Sequence, residues 1–170
     1  MPFNRINGFY AGRFNELESQ NMTIDDRNDE LNEALGTRLN QLNAAIDAHE
    51  KAMKAMMVPR TVKHCYLSED ILDDNGQWTG NSYDYCIAMI KWQGNWRLCH
   101  DMKYSGDQSD FDWKPLVDCS IPDRLRAAPH IDELRDKIVE EKEKIIPELE
   151  AAIEGLARSL ETFEDKPNKK

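Results

Sequence analysis

The sequence of 170 residues has no long apolar run and no apolar segment at its start. A membrane span needs about 20 consecutive apolar residues, and every uncharged stretch here is far shorter. The opening residues Met1-Pro2-Phe3-Asn4-Arg5 also lack the apolar core of a secretory signal. The sequence therefore predicts a protein of the cytoplasm.

Positive charge is scarce in every part of the chain. The sequence has 22 Lys and Arg against 32 Asp and Glu, a formal charge of −10, and no segment with a net positive charge. A protein that binds phosphates needs Lys and Arg gathered on one face. We therefore expect no direct contact with nucleic acid.

Cysteine is sparse, and no two cysteines form a Cys-x-x-Cys pair. In a reducing compartment, four such residues are most simply free, buried thiols. Two alternatives remain open, a tetrahedral zinc site and a nucleophilic pair of Cys65 with His100. The zinc site would use His64, Cys86, His100 and Cys119.

Motifs of known catalytic chemistry are missing as well. The sequence has no phosphate-cradling glycine loop, no nucleophile elbow and no His-Glu-x-x-His pair. We therefore predict a protein without enzymatic activity, with no cofactor and no metal.

Two long helices are predicted, over 23–58 and 122–164. The first begins at Thr23, whose hydroxyl can cap the free amides of the first turn. Its apolar or near-apolar positions follow a heptad spacing at Leu35, Leu39, Leu42, Ile46, His49, Met53 and Met56. The second has periodic apolar residues from Ile131 to Phe163. Because a heptad stripe needs another helix to cover it, these patterns predict a long antiparallel, coiled-coil-like hairpin.

The segment between them, 59–121, is rich in Thr, Val, Tyr and Trp and is punctuated by glycines. A three-residue loop at Gln93-Gly94-Asn95 would pair Trp92 with Trp96 and place one apolar face on the hairpin. Flanking strands near 61–67 and 113–119 complete the sheet. The predicted fold class is therefore α+β, a long helical hairpin with an inserted four-stranded antiparallel β-meander.

The two ends of the chain have different patterns. Residues 1–22 carry apolar side chains at 3-4-4-3 spacing and are predicted to be a short amphipathic segment. Residues 165–170 are predicted to be disordered. A two-helix stripe buries too little apolar area to offset the ordering of its residues, so we expect a homodimer or a higher oligomer.

The first and third connections of a four-stranded meander lie at the same end of the sheet, and here they are the most acidic loops. Seven carboxylates at a shared tip suit a basic protein partner. A solvated surface or a hard-cation site are the alternatives, although the loop lacks the ligand spacing of an EF-hand. The residues are Glu69, Asp70, Asp73, Asp74, Asp107, Asp110 and Asp112.

An aromatic group on the β-segment gives a second candidate site, with Trp92, Trp96, Arg97 and His100 as its residues. Tryptophan rings can stack on a nucleotide base, although such pairs are also typical of a core.

The sequence thus predicts a non-enzymatic, acidic protein-interaction module. One form of it is an inhibitor of phage or plasmid type that masks a basic or nucleic-acid-binding partner. The alternative is a protein that binds or sequesters a nucleotide-like small molecule in the aromatic pocket.

Overall fold

The computed structural model describes residues 23–107 and 109–164. The amphipathic segment predicted at 1–22 and the tail predicted at 165–170 lie outside the described residues. The chain divides into two compact units, Met1–Ala44 and Ala45–Lys170. The described elements are α1 (Ile24–Ala55), β1 (Val62–Leu72), β2 (Trp78–Trp92), β3 (Asn95–Tyr104), β4 (Lys114–Pro115), α2 (Ile121–Ala127) and α3 (Ile131–Glu164).

Local sequence explains where the helices begin. The Thr23 hydroxyl accepts a hydrogen bond from the backbone N–H of Asp26, whose carboxylate bonds back to Thr23, which is a reciprocal N-terminal cap. The Ser120 hydroxyl accepts from the backbone N–H of Asp123 and caps α2 in the same way. A 3₁₀ turn, Ala128–His130, then leads into α3.

The four strands form one antiparallel sheet in the order β1-β2-β3-β4, so the predicted four-stranded meander is confirmed. The β2–β3 loop has two residues rather than three, since Trp92 pairs with Asn95. Gln93 and Gly94 both have positive φ, 48° and 84°, as a tight type I′ hairpin requires. The predicted pairing of Trp92 with Trp96 is therefore wrong by one residue.

A slip of one residue moves every β3 side chain to the other face of the sheet. Leu98 pairs with Met89, and His100 pairs with Ile87. His64 of β1 also pairs with Ile87 and bonds to Glu133 of α3, so this face is the one that carries α3. The opposite face holds a smaller cluster of Ala88, Ile90 and Cys99, against which Trp92 and Trp113 pack.

The predicted helical hairpin is wrong. The first turns of α3 pack on β1 and β2 of the sheet, with Ile131, Leu134 and Ile138 buried. In the first unit, Leu31 and Leu35 of α1 are each more than half exposed. A broad apolar sheet face covers a helix more completely than a second narrow helical stripe does. The predicted register put the β3 side chains on the wrong face of the sheet, so this packing surface was not predicted.

The end of α1 is attached to the sheet through Glu50, which is buried, as are Ile46 and Met53 of the same helix. Its carboxylate accepts a hydrogen bond from the backbone N–H of Leu98 at 2.9 Å and from Nε of Arg97 at 3.1 Å. One carboxylate thus satisfies a free amide on the outer side of β3.

Two of the four cysteines are not free thiols, contrary to the prediction. Cys65 and Cys86 stand opposite each other on β1 and β2 and form a disulfide. Because Cys86 is bonded to Cys65, the zinc site that would have used its sulfur is also wrong. Cys99 and Cys119 are free and buried, and burial raises their pKa to about 12 and about 11.

Candidate functional site

The second half of α3 carries an exposed apolar stripe, which we call the α3 stripe. Its side chains follow a 3-4-3-4 spacing after Val139 and are each about half exposed or more, with Leu156 at 69%. Large apolar side chains in one continuous row mark an interaction surface. The members of the stripe are Val139, Ile146, Leu149, Ile153, Leu156 and Leu160.

The α3 stripe has the composition of a coiled-coil seam. In a heptad written abcdefg, Val139, Ile146, Ile153 and Leu160 occupy a positions, and Leu149 and Leu156 occupy d positions. Lys142 stands at the first d position. In parallel coiled coils, β-branched residues at a with Leu at d favour two strands over three or four. Of the flanking e and g positions, Glu143 and Glu150 are charged, whereas Ala152, Ala157 and Ser159 toward the end of the helix carry no charge.

An ion pair fixes α3 where it leaves the sheet. Arg60, just before β1, donates hydrogen bonds to Glu141, and its guanidinium lies 3.7 Å from Glu148. The hydrogen bond from Arg60 is the main cause that lowers the pKa of Glu141. The α3 stripe therefore lies on a helix that is held by Arg60 at the point where it leaves the sheet.

The seven predicted acidic residues are spread over two places on the sheet. β2 pairs with β1 as far as Trp78 but with β3 only as far as Tyr83, so the first loop lies about 16 Å beyond the second along the strands. Asp73 and Asp74 occupy that first loop, while the backbone N–H of Asp112 bonds to Asp101 beside β3.

Several of these carboxylates shape the local backbone. Asp73 accepts hydrogen bonds from the backbone N–H groups of Asn75 and Gln77, and Asp107 accepts from both the backbone and the hydroxyl of Ser109. Glu69 accepts a hydrogen bond from the Tyr85 hydroxyl. Asp70, Asp74 and Asp110 are exposed on the surface.

The four residues of the predicted aromatic pocket do not come together. The register places Trp92 and Arg97 on one face of the β2–β3 hairpin and Trp96 and His100 on the other. Arg97 bonds to Glu50, and His100 bonds to Tyr66. These contacts give each polar member a partner within the fold.

A cluster that the sequence analysis missed lies where β1 meets the start of α3. Nε2 of His64 donates to Oε2 of Glu133 at 2.6 Å, and Nδ1 of His130 donates to Oε1 of the same carboxylate at 3.1 Å. The two imidazole nitrogens and the carboxylate oxygen all lie within 4.8 Å of one another. The hydrogen bonds from His130 and then His64 lower the pKa of Glu133.

Aromatic packing continues from this cluster into the sheet. The Tyr66 ring stacks on His130 with centroids 4.6 Å apart, and its hydroxyl is hydrogen-bonded to Nε2 of His100 at 3.0 Å. Burial raises the pKa of Tyr66 to about 12 and lowers the pKa of His100. His130 is thus held in place by a partly buried neighbour.

The sequence contained half of the signal for this cluster. His130 and Glu133 are three residues apart at a helix start, a spacing that puts two side chains on one side of a helix. The contribution of His64 depends on the register of β1, which is shifted by a bulge between Cys65 and Leu67.

Comparison with protein-family models, with curated proteins and with solved structures gives no significant match for this chain. Among the described helices, none combines the length and the apolar character that crossing a bilayer requires. Functional inference therefore depends on the geometry of the α3 stripe and of the surfaces around it.

Proposed function

We propose that this chain is a non-enzymatic protein-interaction module whose first partner is a second copy of itself, bound through the α3 stripe. The observation that carries the proposal is the row of large apolar side chains exposed at heptad spacing on α3. Such a row is stable in water when another helix covers it.

Two features favour an identical helix in parallel orientation as the occupant. Ile at a and Leu at d is the pattern of two-stranded parallel coiled coils. In that arrangement the stripes of two copies align position by position, and Ala152 and Ala157 flank the seam without like-charge repulsion. The strongly acidic chain thus has a surface on which two copies can meet.

The size of the α3 stripe is sufficient for a specific contact. From Val139 to Leu160 the helix extends about 33 Å at 1.5 Å per residue. Covering one Ile or Leu side chain contributes about 1.5 kcal/mol or more. Six such positions on each copy offset an association cost of about 4 to 15 kcal/mol.

The interaction with a basic partner, including the inhibitor form of the function, is a further part of this proposal. The exposed carboxylates of Asp70, Asp74 and Asp110 support it. The nucleotide-binding alternative stays a prediction, and the separation of Trp92 from Trp96 gives it no support. A cytoplasmic location stays a prediction from the sequence. The Cys65–Cys86 disulfide counts against it, because such bonds are typical of oxidising compartments, and the oxidation state of the two cysteines in cells tests it.

Sedimentation velocity of the full chain tests self-association. We expect a concentration-dependent dimer that Leu156→Glu, in the seam, weakens at least tenfold. Ala151→Glu is the matched control, since it adds the same charge at an outward f position of the same helix and should leave the dimer intact. A monomeric wild-type chain at high micromolar concentration would contradict the proposal.

A second measurement tests the parallel orientation. In a Leu160→Cys variant, mild oxidation should yield a covalent dimer, because position 160 meets its own copy only when the helices run in parallel and in register. A dimer in sedimentation that gives no crosslink at this position would mean an antiparallel pair and would overturn the parallel arrangement.

A further inference from the structure

The strongest unassigned feature outside the α3 stripe is the cluster of His64, His130 and Glu133. Two imidazole nitrogens and one carboxylate oxygen form a set of borderline and hard donors that suits Zn²⁺ and related transition-metal dications. Mg²⁺ and Ca²⁺ take oxygen ligands instead. The cluster therefore favours a different kind of metal ion from the one that the acidic loops, with oxygen ligands alone, would favour.

The spacing of the donors fits such an ion. Bonds of 2.0 to 2.2 Å in a tetrahedral site place neighbouring ligand atoms about 3.4 Å apart. In the structure, Nε2 of His64 and Nδ1 of His130 lie 2.6 Å and 3.1 Å from the Glu133 oxygens, and no pair in the cluster is more than 4.8 Å apart. Small side-chain rotations are sufficient to admit a cation.

Each donor is fixed by a different part of the fold. His64 is held by the pairing of β1 with β2, His130 by the 3₁₀ turn and the stacked Tyr66 ring, and Glu133 by the first turn of α3. A carboxylate facing both imidazoles supplies negative charge, and its 54% exposed side chain keeps the place open to solvent. A preorganised set of this kind loses little entropy when it binds an ion.

We propose that His64, His130 and Glu133 form a binding site for a divalent transition-metal ion, with Zn²⁺ as the best fit. The three residues supply three ligands, and solvent takes the fourth position. The bound ion takes the place of the N–H hydrogens that face the carboxylate, and each neutral imidazole then keeps its single proton on its other ring nitrogen, Nδ1 of His64 and Nε2 of His130. It also links β1 to the start of α3. This inference is independent of the α3 dimer.

Isothermal titration of the full, tag-free chain with Zn²⁺ alone tests the site. We expect saturable binding of one ion per chain and a rise in the thermal midpoint. His64→Gln and Glu133→Gln should each weaken binding at least tenfold. His49→Gln is the matched control, because Nδ1 of His49 lies 3.9 Å from Asp132, a second His–carboxylate pair outside the cluster. Its Zn²⁺ affinity should be unchanged.

A spectroscopic readout keeps the test decisive if a variant folds poorly. The wild-type chain loaded with Co²⁺ should show the intense visible absorption of a four-coordinate site, and one equivalent of Zn²⁺ should remove it. Absence of one-to-one Zn²⁺ binding, or binding that His64→Gln and Glu133→Gln both leave unchanged while folded, would overturn the proposal.

Discussion

At the scale of single residues, Glu50 stands out because it is the buried carboxylate among the described residues. It is 6% exposed and accepts hydrogen bonds from Lys54, from Arg97 and from the backbone N–H of Leu98. Burial raises its pKa, but the hydrogen bonds from Lys54, Leu98 and Arg97 outweigh this effect and lower the pKa overall. Glu50 is therefore ionised in the folded protein near neutral pH.

Replacing Glu50 with Ala should lower the free energy of unfolding by about 3 kcal/mol, because the Leu98 amide and the Arg97 guanidinium lose their buried acceptor. Urea denaturation at pH 7 measures the change. Glu50→Gln retains an acceptor for the Leu98 amide and should lose clearly less. Equal losses in the two variants would mean that the amide contact contributes nothing.

The sequence came close to predicting this residue. The heptad pattern of α1 correctly places Ile46 and Met53 on the buried side, but it assigns the position between them to His49. The structure buries Glu50 instead. Apolar periodicity cannot predict a buried carboxylate, since its position depends on a backbone amide of a distant strand.

At the scale of elements, the β2–β3 hairpin shows how much of the structure a local sequence pattern can predict. The turn was located correctly at Gln93 and Gly94, but its length was not. Both two-residue and three-residue loops accept a glycine here, and the difference decides which face each β3 side chain occupies. The aromatic pocket was predicted only because the loop was taken to be one residue too long. The four-stranded sheet itself was predicted correctly.

The Cys65–Cys86 disulfide joins two neighbouring strands at a sequence separation of 21 residues. A loop of that length contributes about 3 kcal/mol through the reduced entropy of the unfolded chain. Cys65→Ser should lower the free energy of unfolding by about this amount. Cys65 is exposed, so the substitution opens no cavity in the core. Chemical denaturation without reductant provides the measurement.

Reductant is the internal control for this prediction. It should lower the stability of the wild-type chain to that of Cys65→Ser and should leave the variant unchanged, because Cys99 and Cys119 are free thiols. A wild-type protein equally stable with and without reductant would show that the bond adds nothing.

At the scale of the whole molecule, the sequence predicted the order of helix, strands and helix but not how the helices pack. The apolar residues of α3 form two groups on one continuous helix. Ile131, Leu134 and Ile138 pack on the sheet, whereas Ile153 and Leu156 point to solvent. The apolar pattern of α3 indicates that these side chains pack against another surface, but it does not identify that surface.

Acid should destabilise the protein in a step that depends on His100. This side chain is 4% exposed, and burial lowers its pKa; Asp123 and Asp101 raise it to a lesser extent, Arg126 lowers it, and Tyr66 bonds to its ring. Below the ordinary histidine value of about 6.5, the unfolded chain takes up a proton before the folded chain does. Stability should therefore fall as the pH drops below that value.

The free energy of unfolding measured between pH 5 and pH 8 tests this expectation. His100→Gln removes the group that titrates, so the slope in this window should become flatter even if the variant is less stable overall. At lower pH, protonation of Glu50 removes a second contribution, which is present above its ordinary pKa and lost as the pH falls through the lowered value. An unchanged slope in His100→Gln would assign the first step to another group.

The two outer strands of the sheet limit how copies of this protein can join. β1 is interrupted by irregularities after Cys65 and after Asp70, and β4 has two residues, one of them Pro115. On β3, the Leu98 amide is already taken by Glu50. An added strand needs a long unbroken row of free amides and carbonyls, and these features shorten such a row on the described sheet. High local concentration should therefore favour discrete assemblies over cross-β fibrils.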